Sequence, residues 1–208
     1  GADPHQPHQF SGGLGGDRFF DFEGQLGDGH GRSAAWHGLH QQLSTLQAVT
    51  DNNGHPLYLR QHQLTRRYNE QEIYLLNYAL IQAAKTGTAK ALQTAFPGVV
   101  LAGKTGTSSD YRDSWFSGFD QDSVTTVWLG RDDNKAIGLT GASGALGVFS
   151  RYLSLHGTNS LLRAMPEQVS LQAFSAKTGY PQAQNCFNVL LLPAISVEMP
   201  VMSECIDE

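Results

Sequence analysis

The chain has 208 residues, 40% of them hydrophobic and 16% charged, with a formal net charge of −5. That length holds one folded domain with an appendage, and the composition suits a packed core rather than a disordered polymer. The acidic balance excludes a nucleic-acid footprint, no apolar run reaches the roughly 18 residues of a membrane-spanning helix, and no secretion signal opens the chain, so any targeting segment is expected on sequence outside it.

Residues 1–37 differ in character from the rest. Glycine and histidine crowd there, as in Gly12-Gly13-Leu14-Gly15-Gly16 and Gly27-Asp28-Gly29-His30-Gly31. Apolar residues recur with neither the helical nor the strand period, and glycine loses the most entropy on folding, so an irregular, poorly packed segment is expected. His5, His8, His30, His37 and His40 share no ligand spacing with acids or cysteines, and no metal site is read from them.

Regular patterning starts near Leu43. Leu43 to Val49 reads as a strand, Asp51-Asn52-Asn53-Gly54 as a hairpin turn and Pro56 to Arg60 as the returning strand. A helix follows, capped by Asn69 with Glu72 at its third position in a capping-box arrangement. Ile73, Leu76, Leu80 and Ala84 are expected to form its apolar face, and Gly87 to stop it. A short helix from Thr88 to Phe96 should end at Pro97-Gly98.

An apolar run, Val99-Val100-Leu101-Ala102, then leads into Gly103-Lys104-Thr105-Gly106-Thr107. Strands at Ser114–Phe119 and from about Ser123 to Gly130 come next, and links this short imply antiparallel neighbours. Gly144 to Leu153 reads as a final helix with Leu146, Phe149 and Leu153 on one face and Gly157 after it. In the tail only a short strand at Val189–Leu192 is read. Cys186 and Cys205, the two cysteines, fit either a disulfide in an oxidising compartment or two unrelated thiols in a reducing one; they are too few for a structural zinc site.

Lys-Thr-Gly occurs three times. Lys85-Thr86-Gly87 falls where a helix ends, where lysine complements the helix terminus and glycine caps it. Lys177-Thr178-Gly179 precedes Tyr180-Pro181 and reads as a surface turn. Only Lys104-Thr105-Gly106 follows an apolar run and precedes a strand at hairpin distance. On a strand, Lys104 and Gly106 point to one face and Thr105 and Thr107 to the other. Glycine permits close approach of a backbone, lysine favours nearby negative charge, and the two threonines offer hydroxyls to a carboxylate. The Thr107 N–H fits one oxyanion donor. The partners that would complete such a serine acyl-transfer site, Ser-x-x-Lys and Ser-x-Asn, are absent from the chain.

Leu101 to Thr107 followed by Asp113 to Phe119 resembles the transpeptidase domain of bifunctional (class A) penicillin-binding proteins. Val127-Trp128-Leu129-Gly130-Arg131-Asp132-Asp133-Asn134 and Leu139 to Ala145 extend the resemblance, which runs from about Gly38 to Leu155. It implies an α/β (α+β) fold, with an antiparallel sheet flanked by helices, organised as a partial transpeptidase domain at 38–160 and a tail at 161–208. It also implies a serine acyltransferase that crosslinks peptidoglycan stem peptides ending in D-Ala-D-Ala and is acylated by β-lactams, without a cofactor. Lys104 then takes the catalytic lysine position, Thr105, Gly106 and Thr107 bind substrate, and Asp113 to Phe119 support them. The family's membrane anchor, glycosyltransferase domain and nucleophile would lie on other sequence, at the periplasmic face of the inner membrane. Cys186 and Cys205 would then be bonded.

On this resemblance residues 1–37 replace an apolar helical stretch. A one-base shift beneath Gln9 to Gly15 permits Ser-Phe-Leu-Gly-Ala-Leu-Glu, so a misread frame is one expectation for them. Two other functions share the third motif or the fold: a β-lactamase or D,D-carboxypeptidase, and a non-catalytic binding module. The Trp128-Leu129-Gly130-Arg131 and Gly141-Ala142-Ser143-Gly144 blocks argue against the first. The change of character near Gly38 argues for a truncated enzyme over the second.

Overall fold

The computed structural model describes residues 38–41, 46–61, 64–196 and 204–205. The expectations for residues 1–37 and for a strand start at Leu43 lie outside them. Chain order is β1 (Leu39–Gln41), β2 (Ala48–Thr50), β3 (Pro56–Leu59), β4 (Leu64–Arg66), α1 (Glu70–Lys85), α2 (Ala91–Ala95), β5 (Ala102–Thr107), β6 (Ser114–Phe119), β7 (Val124–Leu129), α3 (Ala145–His156), β8 (Val169–Ser175) and β9 (Val189–Ile195). Among these, β5-β6-β7 form the central antiparallel sheet, and β1-β4, β2-β3 and β8-β9 pair as antiparallel ribbons. This is the mixed architecture expected, antiparallel sheets with a few helices.

The β2–β3 turn spans residues 51–55, with Asp51 N donating to His55 O at 2.9 Å and Gly54 N to Asp51 O at 3.1 Å. Gly54 alone takes a positive φ, 83°, and Asp51 Oδ1 accepts the amides of Asn53 and His55, each at 2.8 Å. The aspartate side chain therefore holds the turn that Asn-Gly patterning announces.

α1 opens on a complete capping box. Glu72 N donates to Asn69 Oδ1 at 2.8 Å and Asn69 N to Glu72 Oε2 at 2.9 Å. Its inner face differs from the expected one by a single position. Ile73, Asn77, Leu80 and Ala84 are buried, whereas Leu76 is 42% exposed. The seam follows i, i+4, i+7 and i+11, which centres Asn77 and turns Leu76 to the flank. The expected glycine stop is also of another kind. Gly87 does not adopt positive φ, but a Cβ there would meet Ala83 O at 2.9 Å and Ala83 Cα at 3.0 Å. Glycine lets the chain fold back against the last turn of α1. The following helix is shorter than read, Ala91–Ala95, because a turn occupies residues 88–90.

Two apolar clusters lie against the sheet. Phe116 of β6 packs on Phe149 of α3, ring centroids 4.6 Å apart, together with Ala84, Leu92, Leu101, Leu146 and Leu153. Leu80, Ala102, Phe119, Val124 and Leu161 form the second. Leu146, Phe149 and Leu153 are thus the buried stripe of α3 that their spacing announces, and Gly157 follows at φ 82°.

The tail holds more structure than sequence suggests. β9 extends to Ile195 and pairs along its whole length with β8, a strand passed over in the sequence although Val169, Leu171 and Ala173 alternate with Ser170 and Gln172. On one face of β8 Val169, Ala173 and Ser175 are buried while Leu171 is 46% exposed, and each face of β9 carries both an exposed leucine and a buried residue. Cys186 and Cys205 are joined in a disulfide, Cα atoms 5.5 Å apart.

Candidate functional site

β5 is the outer strand of the central sheet. Its register against β6 sets Lys104 opposite Ser117, Thr105 opposite Phe116, Gly106 opposite Trp115 and Thr107 opposite Ser114. Strand alternation therefore sends Thr105 and Thr107 to the face of Phe116 and α3, and Lys104 and Gly106 to the face of Trp115 and Ser117. The apolar run before it, Val99 to Leu101, is not part of the strand. It anchors β5 instead: Leu101 is fully buried, and Val100 N donates to Ser160 Oγ at 2.9 Å while its carbonyl accepts from Leu161 N at 2.9 Å.

Each polar side chain of the Lys-Thr-Gly-Thr segment is engaged. The Lys104 ammonium, on an exposed residue, donates to the Thr105 carbonyl at 2.8 Å and lies 3.5 Å from Thr105 Oγ1. Thr105 Oγ1 shares a hydrogen bond of 2.6 Å with Thr88 Oγ1. Thr107 Oγ1 accepts the Gly141 amide at 2.9 Å. Gly106 sits beneath Gly141: a Cβ on Gly141 would lie 2.6 Å from Gly106 O, 2.8 Å from Gly106 N and 2.5 Å from Trp115 O. Only a residue without a side chain fits between the loop and the sheet.

The loop containing Gly141 is held from below by Ser114, which is fully buried. Its hydroxyl donates to Thr140 O and accepts from Ala145 N, both at 2.8 Å. Gly144, the residue before α3, has no side chain with which to cap it, so β6 supplies the cap. On the opposite face Asp113 accepts from Trp128 Nε1 at 2.9 Å, and the Trp128 and Trp115 rings lie 6.0 Å apart. These contacts give the Asp113–Phe119 block its supporting place.

Farther along the same sheet, the buried Asp120 carboxylate accepts from the amides of Asp122, Ser123 and Asn159 and the hydroxyls of Ser123 and Thr158. Burial alone raises its pKa, but those donors outweigh burial and leave it below the ordinary carboxylate value. This ties the β6–β7 turn to the segment after α3.

Lys104, Thr105, Gly106 and Thr107 are therefore brought together on one edge strand. Of the other two Lys-Thr-Gly triplets, Lys85-Thr86-Gly87 closes α1 and Lys177-Thr178-Gly179 lies in a turn after β8. Ser175 Oγ accepts from the amides of Lys177 and Thr178 at 3.1 and 3.0 Å, and Gly179 has φ 74°. Sequence reasoning passes over Thr88, Ser114 and Gly141. For Thr88 a signal exists, since Lys85-Thr86-Gly87-Thr88 repeats Lys104-Thr105-Gly106-Thr107 letter for letter. Ser114 and Gly141 fall within the blocks that carry the resemblance, but nothing local marks their contacts, because their partners lie far along the chain.

No protein-family model matches the chain. Its fold is that of a penicillin-binding protein: the crystal structure of penicillin-binding protein 1A from Haemophilus influenzae superposes with a TM-score of 0.63 at 17% sequence identity, over 83% of this chain and 32% of that one. Within that class the chain is homologous to penicillin-binding protein 1B. It is 39% identical over 163 residues to penicillin-binding protein 1B of Vibrio cholerae, covering 78% of this chain and 21% of the relative. It is 38% identical over 128 residues to that of Escherichia coli, covering 62% and 15%. The chain thus spans between 15% and 21% of the length of these relatives.

Proposed function

We propose that this chain supplies the Lys-Thr-Gly side of a serine D,D-transpeptidase site, within a larger bifunctional penicillin-binding protein. The observation that carries the reading is the edge strand β5, on which Lys104, Thr105 and Thr107 stand together with both threonine hydroxyls held by groups from other elements. In this reading the two hydroxyls bind the terminal carboxylate of a D-Ala-D-Ala stem peptide or the carboxylate of a β-lactam. Lys104 keeps the site positive, and Gly106, which lets the Gly141 loop close over the strand, holds the two threonines at the substrate edge. Thr107 N–H donates to the carbonyl oxygen as it gains charge, a contact whose loss typically costs about 3–4 kcal/mol of activation free energy.

The reaction is an acyl transfer. A serine oxygen attacks the penultimate D-Ala carbonyl, D-Ala leaves, and an acceptor amine then resolves the acyl-enzyme. No cofactor enters that chemistry. The nucleophile is placed outside this chain, since no serine here has a lysine three residues on. Residues 38–160 are the transpeptidase part and 161–208 a tail closed by the Cys186–Cys205 bond. The parent carries the glycosyltransferase and the anchor, and works at the periplasmic face of the inner membrane. No helix among the described residues is long and apolar enough to cross a membrane.

The test is covalent labelling by a fluorescent penicillin, read by denaturing electrophoresis. The full-length protein containing this segment is expected to label, its Lys104→Ala variant to label at least a hundredfold more slowly, on the order of one catalytic electrostatic contact, and the 208-residue chain alone not at all. A labelled serine within this chain overturns the reading.

A further inference from the structure

The first Lys-Thr-Gly triplet looks spent as a helix end, yet its next residue reaches the site. Thr88 follows Gly87 and precedes Ala89, which is fully buried in the main apolar cluster. Gly87 N donates to Gln82 O at 3.3 Å, Ala89 N to Ala83 O at 3.2 Å and Lys90 N to Gly87 O at 3.1 Å. Three backbone hydrogen bonds and a buried neighbour thus fix the Thr88 backbone. A side chain at position 87 would collide with Ala83 backbone atoms, so Gly87 is what allows the fold-back that carries Thr88 to β5. Its hydroxyl lies 2.6 Å from Thr105 Oγ1.

We propose that Thr88 is a positioning residue for substrate carboxylate binding: it donates to Thr105 Oγ1 and so turns the Thr105 proton toward the anion. The inference rests on the transpeptidase reading above and adds to it a residue from α1's far end. The electrostatics give the bond its direction. The Lys104 ammonium is 3.5 Å from Thr105 Oγ1, and a cation there draws the negative end of that hydroxyl toward itself. A proton from Thr88 occupies the remaining acceptor position. With both lone pairs of Thr105 facing donors, its own proton has only outward directions left. Thr88 is exposed, so water satisfies its lone pairs and donation costs it nothing. At Thr107 the Gly141 amide occupies one acceptor position of the hydroxyl.

The experiment measures acylation of the full-length protein by benzylpenicillin and by its methyl ester, in wild type, Thr88→Val and Thr88→Ser. Only the free carboxylate needs the directed proton, so Thr88→Val is expected to lower the acid-to-ester ratio of acylation rate constants by about tenfold, the scale of one hydrogen bond to a charged group. Thr88→Ser is expected to restore the ratio. Thermal midpoints of all three accompany the rates. If Thr88→Val leaves the ratio at its wild-type value, or slows both compounds equally with a lowered midpoint, Thr88 is a structural residue and the inference is wrong. A wild-type protein that benzylpenicillin does not acylate overturns the transpeptidase reading, and this inference with it.

Discussion

Ser114 on β6 accepts the Ala145 amide at 2.8 Å, so a strand side chain caps the first turn of α3. The same hydroxyl donates to Thr140 O, which fixes both ends of the loop that lays Gly141 over Gly106. Core packing and site geometry meet at this one oxygen. Ser114→Ala leaves a buried N–H and a carbonyl without their partner, and is expected to cost about 1–3 kcal/mol. Urea denaturation of the purified protein checks it, and a midpoint equal to wild type would show that water replaces the hydroxyl.

Gly141 and Gly147 form a matched pair for substitution by alanine. At Gly141 the new methyl would meet three backbone atoms, each closer than 3.0 Å; backbone cannot swing aside as a side chain can. A loss of about 1–3 kcal/mol is expected, with slower penicillin acylation as Thr107 loses its held amide. At Gly147, inside α3, nothing lies within 4 Å. There alanine is expected to stabilise by about 0.5–1 kcal/mol through helix propensity. Thermal midpoints moving in the same direction for both would contradict the packing argument.

Asp120 sets an acid limit. Its folded pKa lies below the ordinary value because its donors overcome the effect of burial, while in the unfolded chain it titrates near the usual value of about 3.9. A depressed folded pKa means that the contribution is complete above the unfolded value. It disappears as pH falls through the folded one. Asp120→Asn is expected to flatten the stability profile below about pH 4 and to cost about 1–3 kcal/mol at pH 7, where an amide cannot accept all five donors. Chemical denaturation at a series of pH values reads both effects, and an unchanged acid slope would assign it to other carboxylates.

The Cys186–Cys205 bond closes a loop with a sequence separation of 19. Cross-links of this size typically stabilise by about 2–4 kcal/mol. Reductant is expected to lower the unfolding midpoint of protein purified under oxidising conditions, and to leave that of the Cys186→Ser, Cys205→Ser double variant untouched. Mass spectrometry after alkylation without reductant tests the bond itself; two alkylated thiols would refute it.

Much of the fold is legible in the sequence because its signals are local. The Asn69–Glu72 box, the turn at Gly54 and the stripe of Leu146, Phe149 and Leu153 each depend on residues within a few positions of one another. Lys104, Thr105 and Thr107 are legible too, since one strand carries them. Their conversion into a site is not. Leu76 and Asn77 exchange places because β5, not periodicity alone, determines which side of α1 is covered. β8 is missed because its alternation, Val169 to Ala173, lasts only five residues, and β9 is read short because Pro193 interrupts its apolar run. Thr88 reaches Thr105 across 17 positions, and Gly141 reaches Thr107 across 34. Such pairings are set by where the backbone turns back on itself, and the side chains involved have no local pattern to betray them. The sequence by itself determined most of the elements and the strand proposed to bear the chemistry; the tertiary structure decided which distant groups hold its hydroxyls, because a hydrogen bond depends on distance in space rather than along the chain.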